Sequence, residues 1–128
     1  ILKKLNPKPC DDKIKTISGY KFAICFENVA YPGYIPEKII DCFTAGVIPI
    51  YLGAPNISEF IPPKTFVNMR NFDSWQKLDK YLRQINQAEA QKIIAAGRNF
   101  LKSNKGELYS FEGFANFVAK LILKLVHS

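Results

Sequence analysis

Cysteine is scarce in this chain of 128 residues: Cys10, Cys25 and Cys42 are its only three, and none stands in C-x-x-C spacing with another. An odd, scattered set gives neither a disulfide framework nor a zinc site, and the apolar settings of Cys25 and Cys42 predict reduced, buried thiols. No apolar run approaches the roughly 20 residues that span a bilayer. No basic-then-apolar leader opens the chain, so a soluble piece is expected, with any anchor carried by a part not included. Methionine occurs once, at Met69, and the first residue is Ile1, which predicts a segment of a longer protein. G-x-G-x-x-G, P-loop and H-E-x-x-H patterns are absent. Asp11-Asp12 is not a D-x-D pair, so no obligatory metal is expected. The single histidine, His127, lies next to the last residue without a motif partner and reads as a solvated terminus.

What is present is positive charge and apolar material. The formal charge is +7 and 48% of residues are hydrophobic, enough for one ordinary core and suggestive of an acidic partner such as phosphate, nucleic acid or anionic lipid. The distribution of charge is more telling than its sum. Residues 1–21 hold six lysines and residues 64–128 hold eleven basic residues, but residues 22–63 hold only Lys38, beside Glu27, Glu37, Asp41 and Glu59.

Residues 1–19, with Pro7, Pro9 and the aspartate pair, read as an irregular basic lead-in; residues 20–128 read as the domain. The run Tyr20–Phe26 is nearly all apolar or aromatic, as in a strand buried on both faces of a parallel sheet. A loop with Pro32 and Gly33 follows, and Pro36 opens a helix whose apolar positions are Ile39, Ile40, Phe43 and Ala45. Gly46 stands at its expected end, and Val47–Leu52 makes a second strand closed by Gly53. Strand, helix and strand in this span predict a βαβ unit and a parallel sheet. A short strand is expected at Thr65–Met69, then three helices: one with Trp75, Leu78, Leu82 and Ile85 on a face, one over Ala88–Leu101, and one from Phe111 to Val126. Trp75 and the last helical stripe are read as core rather than membrane anchor.

Ligands of open α/β sheets collect beyond the carboxyl ends of the strands, where helix amino termini present bare N–H groups to anions. That place is the segment Glu27–Lys38, dense in Glu27, Asn28, Tyr31, Tyr34, Glu37 and Lys38. Each suits part of a nucleotide diphosphate sugar. Lys38 can neutralise phosphate oxygens, Glu37 can accept from a ribose diol, and the Tyr34 hydroxyl can meet phosphate. Generic grounds leave the plainer alternative open, with Glu37 a partner of the helix dipole and Lys38 a solvated lysine.

The runs Y-K-F-A-I-C-F-E-N, G-Y-I-P-E-K-I-I-D-C-F-T-A-G-V-I-P-I-Y-L-G-A-P-N and F-I-P-P-K-T-F-V-N-M-R-N-F resemble, in order, the donor-binding region of family 10 glycosyltransferases, the α-1,3/1,4-fucosyltransferases. The likeness covers roughly residues 20–85. It implies the carboxy-terminal, Rossmann-like half of a two-domain GT-B enzyme using GDP-fucose. By that resemblance Tyr34, Glu37 and Lys38 contact the ribose and phosphates, and Asn28 lies on the floor of the donor pocket. Glu27 has two roles open to it: a donor contact, or a buried carboxylate organising the loop through backbone N–H groups.

The sequence departs from the family pattern at Val29, where serine is common, and at Pro36, where threonine is common; the second change removes a natural helix N-cap. The family's general base and a phosphate-holding arginine belong to the amino-terminal domain and have no counterpart here. The resemblance therefore implies half an active site with no catalytic residue of its own, inactive alone. It also implies no obligatory cofactor, a glycan acceptor bound through the other domain, and a parent that allows peripheral membrane contact. The expected compartment is the cytoplasm or membrane periphery in a bacterium and the Golgi in a eukaryote. Two other readings are a GT-B domain for another nucleotide sugar and a basic module for nucleic acid; the scattered lysines and the lack of an aromatic-basic recognition motif argue against nucleic acid.

Overall fold

The computed structural model describes residues 12–128. Helix α1 (Lys13–Ile17) leads to strand β1 (Phe22–Phe26), helix α2 (Lys38–Ala45) and strand β2 (Ile48–Leu52). Strand β3 (Val67–Asn68) follows, and then helices α3 (Trp75–Gln84), α4 (Gln87–Leu101), α5 (Asn104–Glu107) and α6 (Phe111–Val126). Part of the stretch expected to be an irregular lead-in is thus helical. Asp12, one of the aspartate pair, caps α1 by accepting from the Lys15 N–H, and Lys13 bonds Asp41 of α2 at 2.5 Å. Cys10 and Asp11 lie outside the described residues.

The sheet is parallel, in the order β1-β2-β3, with Ile24 opposite Ile50 and Ile50 opposite Val67. Its central strand contains Pro49, which lacks the N–H a ladder uses. The Ile48 N–H points to β1, donating to the Lys21 carbonyl, so the alternate Pro49 nitrogen faces the β3 side. Pairing with β3 begins only at Ile50, so no ladder bond is lost.

Period-two alternation sends the side chains of β2 to two cores. Tyr51 joins Cys25, Ile39, Cys42, Phe43, Ile57, Ile61, Phe66 and Phe100 beneath α2, while Ile48 and Ile50 join Val67, Leu78, Ile85 and Ala90 beneath α3. Helix α2 ends on Gly46 at φ 72°, a left-handed position that suits glycine, and the Val47 N–H closes on the Cys42 carbonyl at 3.0 Å. The buried thiols of Cys25 and Cys42 are free, their sulfurs 3.2 Å apart. The hydrogen bond to Cys42 and burial push the Cys25 thiol up, as for an inert structural cysteine.

Three burial expectations are corrected. Strand β1 is not covered on both faces: Ile24 is 66% exposed, because β1 lies at the sheet's edge among the described residues. Trp75 is 58% exposed and rests beside Phe26, ring centroids 5.9 Å apart, on the rim of an apolar groove with Ile24, Leu78 and Leu82. Helix α6 has the expected bounds but no buried residue, and Phe111, Phe114, Phe117 and Leu125 are exposed. None of its residues belongs to either core. Removing residues 111–128 is therefore expected to change the unfolding free energy of the remainder by no more than about 0.5 kcal/mol, as for sites remote from packed groups. A loss of ~2 kcal/mol or more in chemical denaturation, the scale of removing a packed apolar side chain, would show that the core depends on α6. Among the described residues no helix is long and apolar enough to cross a membrane.

Candidate functional site

The carboxyl ends of β1 and β2 are tied together by the Glu27 N–H, which donates to the Leu52 carbonyl at 2.8 Å. This fixes Glu27 at the end of the sheet, directly ahead of the loop that leads to α2. The loop reverses at Tyr31-Pro32-Gly33-Tyr34, where the Tyr34 N–H bonds the Tyr31 carbonyl at 3.1 Å and Gly33 has φ 76°. Proline followed by a positive-φ glycine is the chemistry of a type II turn. Asn56 holds the turn from outside, its Oδ1 accepting from the Gly33 N–H at 2.8 Å. Tyr34 is thereby presented to solvent, 54% exposed.

Lys38 is the first residue of α2. Its Nζ reaches back to donate to the Phe26 carbonyl at 2.9 Å and to Glu27 Oε2 at 3.2 Å. An ammonium has three N–H groups, and among the described residues these bonds commit two of them. The Lys38 side chain is 37% exposed and that of Glu27 only 3%. Glu37 stands at the helix N-cap without a side-chain capping bond, as expected with Pro36 in place of a hydroxyl residue. Glu37 and Asn28 are both exposed.

All five sequence-derived residues, Glu27, Asn28, Tyr34, Glu37 and Lys38, line one open cleft of about 190 Å³, together with Val29 and Pro36. Tyr31 is not among its lining residues. The cleft combines one ammonium, an exposed carboxylate, an amide and a phenol at the amino terminus of a helix. That set can hold an anion and hydrogen-bond a polyhydroxylated ring. Of the two roles open to Glu27, loop organisation through backbone N–H groups is not what its carboxylate does. Oε2 takes the Lys38 ammonium, and Oε1 has no hydrogen-bond partner among the described residues.

Three residues beside the site escaped the sequence reading. Gly53 follows β2, and a Cβ on it would sit 2.8 Å from Glu27 Cγ and 2.4 Å from the Tyr51 hydroxyl, so glycine is what admits both side chains. The Tyr51 hydroxyl accepts from the Ala54 N–H at 3.0 Å; burial pushes its phenol up, and the Glu27 carboxylate adds to the effect. Arg70 donates through Nη2 to the Gly53 carbonyl at 2.8 Å, bringing a second cation to the same edge of the sheet. A glycine closing a buried strand was the only available signal; Arg70 offered none.

Comparison with known proteins gives a consistent result. The family model described as glycosyltransferase family 10 (fucosyltransferase) C-term matches residues 3–93. An α-(1,3)-fucosyltransferase of Helicobacter pylori is 32% identical over 104 residues, covering 81% of this chain and 22% of the relative. A 4-galactosyl-N-acetylglucosaminide 3-α-L-fucosyltransferase of Mus musculus is 39% identical over 75 residues, covering 57% of this chain and 21% of the relative. A crystal structure of an α1,3-fucosyltransferase with GDP-fucose superposes at TM-score 0.62 with 33% identity, over 66% of this chain and 26% of that one. Another α1,3-fucosyltransferase crystal structure superposes at 0.63 with 31% identity, over 73% and 27%. The chain thus spans about a fifth to a quarter of the proteins it matches. The shared architecture is the parallel, helix-flanked sheet in the carboxy-terminal half of a GT-B fucosyltransferase. With the family model matching well over half of its residues, the chain belongs to glycosyltransferase family 10, the fucosyltransferases.

Proposed function

We propose that this chain is the GDP-fucose-binding part of an inverting fucosyltransferase that delivers fucose to a hydroxyl of a glycan acceptor, with residues 20–128 as the donor-binding unit. The observation that carries this reading is the Lys38 ammonium, held at the carboxyl edge of a parallel sheet in the first turn of α2 with one N–H uncommitted among the described residues. A charge placed there neutralises the diphosphate as the glycosidic bond breaks and negative charge gathers on the leaving group. Tyr34 gives a hydroxyl to a phosphate oxygen, Glu37 accepts from the ribose diol, and Asn28 closes the floor of the cleft. Solved relatives that bind GDP-fucose and GDP support the same donor.

Inversion needs a base on the face of the sugar opposite the leaving diphosphate. Residues gathered around that diphosphate are badly placed for this, so base and acceptor site are assigned to the rest of the parent protein. The chain alone is then inactive in transfer, and donor binding needs neither a cofactor nor a metal. The parent's compartment follows its source, cytoplasmic or at the membrane periphery in a bacterium and Golgi in a eukaryote.

The test is a set of calorimetric titrations of the chain with GDP, UDP, CMP and ADP, with and without a chelator. GDP is expected to bind at least about tenfold more tightly than the others, a difference of about 1.4 kcal/mol, and the chelator to leave this unchanged. Equal affinities would point to a different nucleotide sugar. Retention only on a polyanion, lost at moderate salt, would point to nonspecific charge binding instead.

A further inference from the structure

The Glu27 side chain is almost wholly withdrawn from water, yet among the described residues its carboxylate has one charged partner and leaves Oε1 without a hydrogen bond. Burying a carboxylate in this way opposes folding. Structure alone does not call for it, because the end of β1 is already fixed by the backbone bond from Glu27 to Leu52. The side chain is nevertheless accommodated there, since Gly53 lacks the Cβ that would collide with the Tyr51 hydroxyl and with Glu27 Cγ. What the carboxylate does touch is the Lys38 ammonium.

We propose that Glu27 is a positioning residue: with the Phe26 carbonyl it fixes two of the three Lys38 N–H groups so that the third is directed at the nucleotide's phosphate. The inference rests on the nucleotide-binding reading above and deepens it. A lysine is a point charge on a flexible stem, and holding it in one place reduces the ordering required when the ligand arrives. Two acceptors behind the ammonium supply that order. The same logic governs the lysine–glutamate pair that protein kinases must assemble before the lysine can serve the nucleotide phosphates. Glu27 itself touches no phosphate in this arrangement, so its contribution to binding is made entirely through Lys38.

That dependence makes the proposal measurable. GDP is titrated into the full chain and into Glu27→Gln, Lys38→Ala and the double variant at one ionic strength, with folding followed by circular dichroism. Glu27→Gln, which keeps the size of the side chain and removes its charge, is expected to weaken GDP binding about tenfold, the scale of a charge-assisted hydrogen bond. The same substitution in the Lys38→Ala background is expected to change affinity by less than about twofold, since nothing remains for it to position. Equal losses in the two backgrounds would overturn the proposal and leave the nucleotide-binding reading intact, as would unchanged binding by Glu27→Gln. A second measurement needs no nucleotide: the rate at which Lys38 is acylated by an amine-modifying reagent, read by peptide mass spectrometry. It is expected to rise about fivefold or more in Glu27→Gln as a held ammonium is released, while Lys80 and Lys105 are unaffected. Glu27→Asp, which draws the charge back by one methylene, is the second variant and is expected to raise the same rate. Absence of GDP binding by the parent chain would defeat the nucleotide reading, whereas an unchanged acylation rate at Lys38 would defeat the positioning role on its own.

Discussion

Phe43→Ala is expected to lower the unfolding free energy by about 3–5 kcal/mol, a large part of the ~5–15 kcal/mol that holds a typical domain together. Phe43 is 2% exposed in the core beneath α2 and meets Phe100 edge to face, centroids 6.0 Å apart at 74°. Its removal opens a cavity that surrounding side chains fill only in part. Across the interface stands Gly97 of α4, where a Cβ would lie 2.6 Å from Phe43 Cδ1. The two sites are therefore coupled, with a predictable sign. Inside a helix, Gly→Ala ordinarily stabilises by roughly 0.5–1 kcal/mol. In the parent chain Gly97→Ala is expected to destabilise instead, because a buried ring cannot retreat cheaply. With Phe43→Ala already present the obstruction is gone and a methyl partly fills the cavity, so Gly97→Ala is expected to stabilise. Denaturant titrations of the four proteins give the cycle, and additive effects would show that α2 and α4 do not meet through this ring.

The packing of α2 on α4 was only half legible in the sequence. Periodicity identified Ile39 and Phe43 as one apolar face and Gly46 as the helix end, and Pro32-Gly33 signalled the turn that presents Tyr34. Those features are local: each depends on residues within a few positions, and backbone geometry alone determines the outcome. Which surface an apolar stripe meets is not local. The repeats at Trp75 and along α6 were sound helical patterns, and yet both are largely exposed, because a period reports that a face is apolar and not what covers it. Ile24 repeats the lesson in a strand: an unbroken apolar run is the same whether the strand is central or at an edge.

The site divides along the same line. The segment Glu27–Lys38 stood out because a βαβ unit places a strand end and a helix start together, and its five candidate residues do share one cleft. The bond between Glu27 and Lys38 was not legible. It joins residues eleven positions apart through a loop with no regular period, and its geometry depends on the tie between Glu27 and Leu52, on the Phe26 carbonyl and on the turn held by Asn56. Arg70, Gly53 and Tyr51 reach the site from strands and turns further along the chain. Their chemistry is unremarkable until the sheet brings them alongside.

Lys38→Ala is expected to have the largest effect on ligand binding, and its consequences run in two directions. Losing the charge-assisted hydrogen bond to a phosphate costs on the order of 1.5–3 kcal/mol, so GDP affinity should fall roughly tenfold or more. Lys38→Arg should rescue only in part, since a planar fork replaces a point charge against Glu27 and the Phe26 carbonyl. Lys80→Ala and Lys105→Ala, at exposed positions, should shift affinity only through a long-range attraction that fades as salt shortens its reach. The second consequence concerns stability. With the ammonium gone, Glu27 keeps a carboxylate on a side chain only 3% exposed, with Oε2 stripped of its charged partner and Oε1 already without a hydrogen bond among the described residues. A buried group left in this way typically costs ~1–3 kcal/mol or more when charged. Lys38→Ala should therefore be less stable than the parent, and adding Glu27→Gln should restore part of the loss by removing the stranded charge. The two effects are separable by experiment: calorimetric titration reads affinity, and denaturant unfolding without nucleotide reads the buried pair. Unchanged GDP affinity in Lys38→Ala, or a loss no greater than in the Lys80 and Lys105 controls, would return Lys38 to the role of a structural partner for Glu27 and remove the phosphate contact from this site.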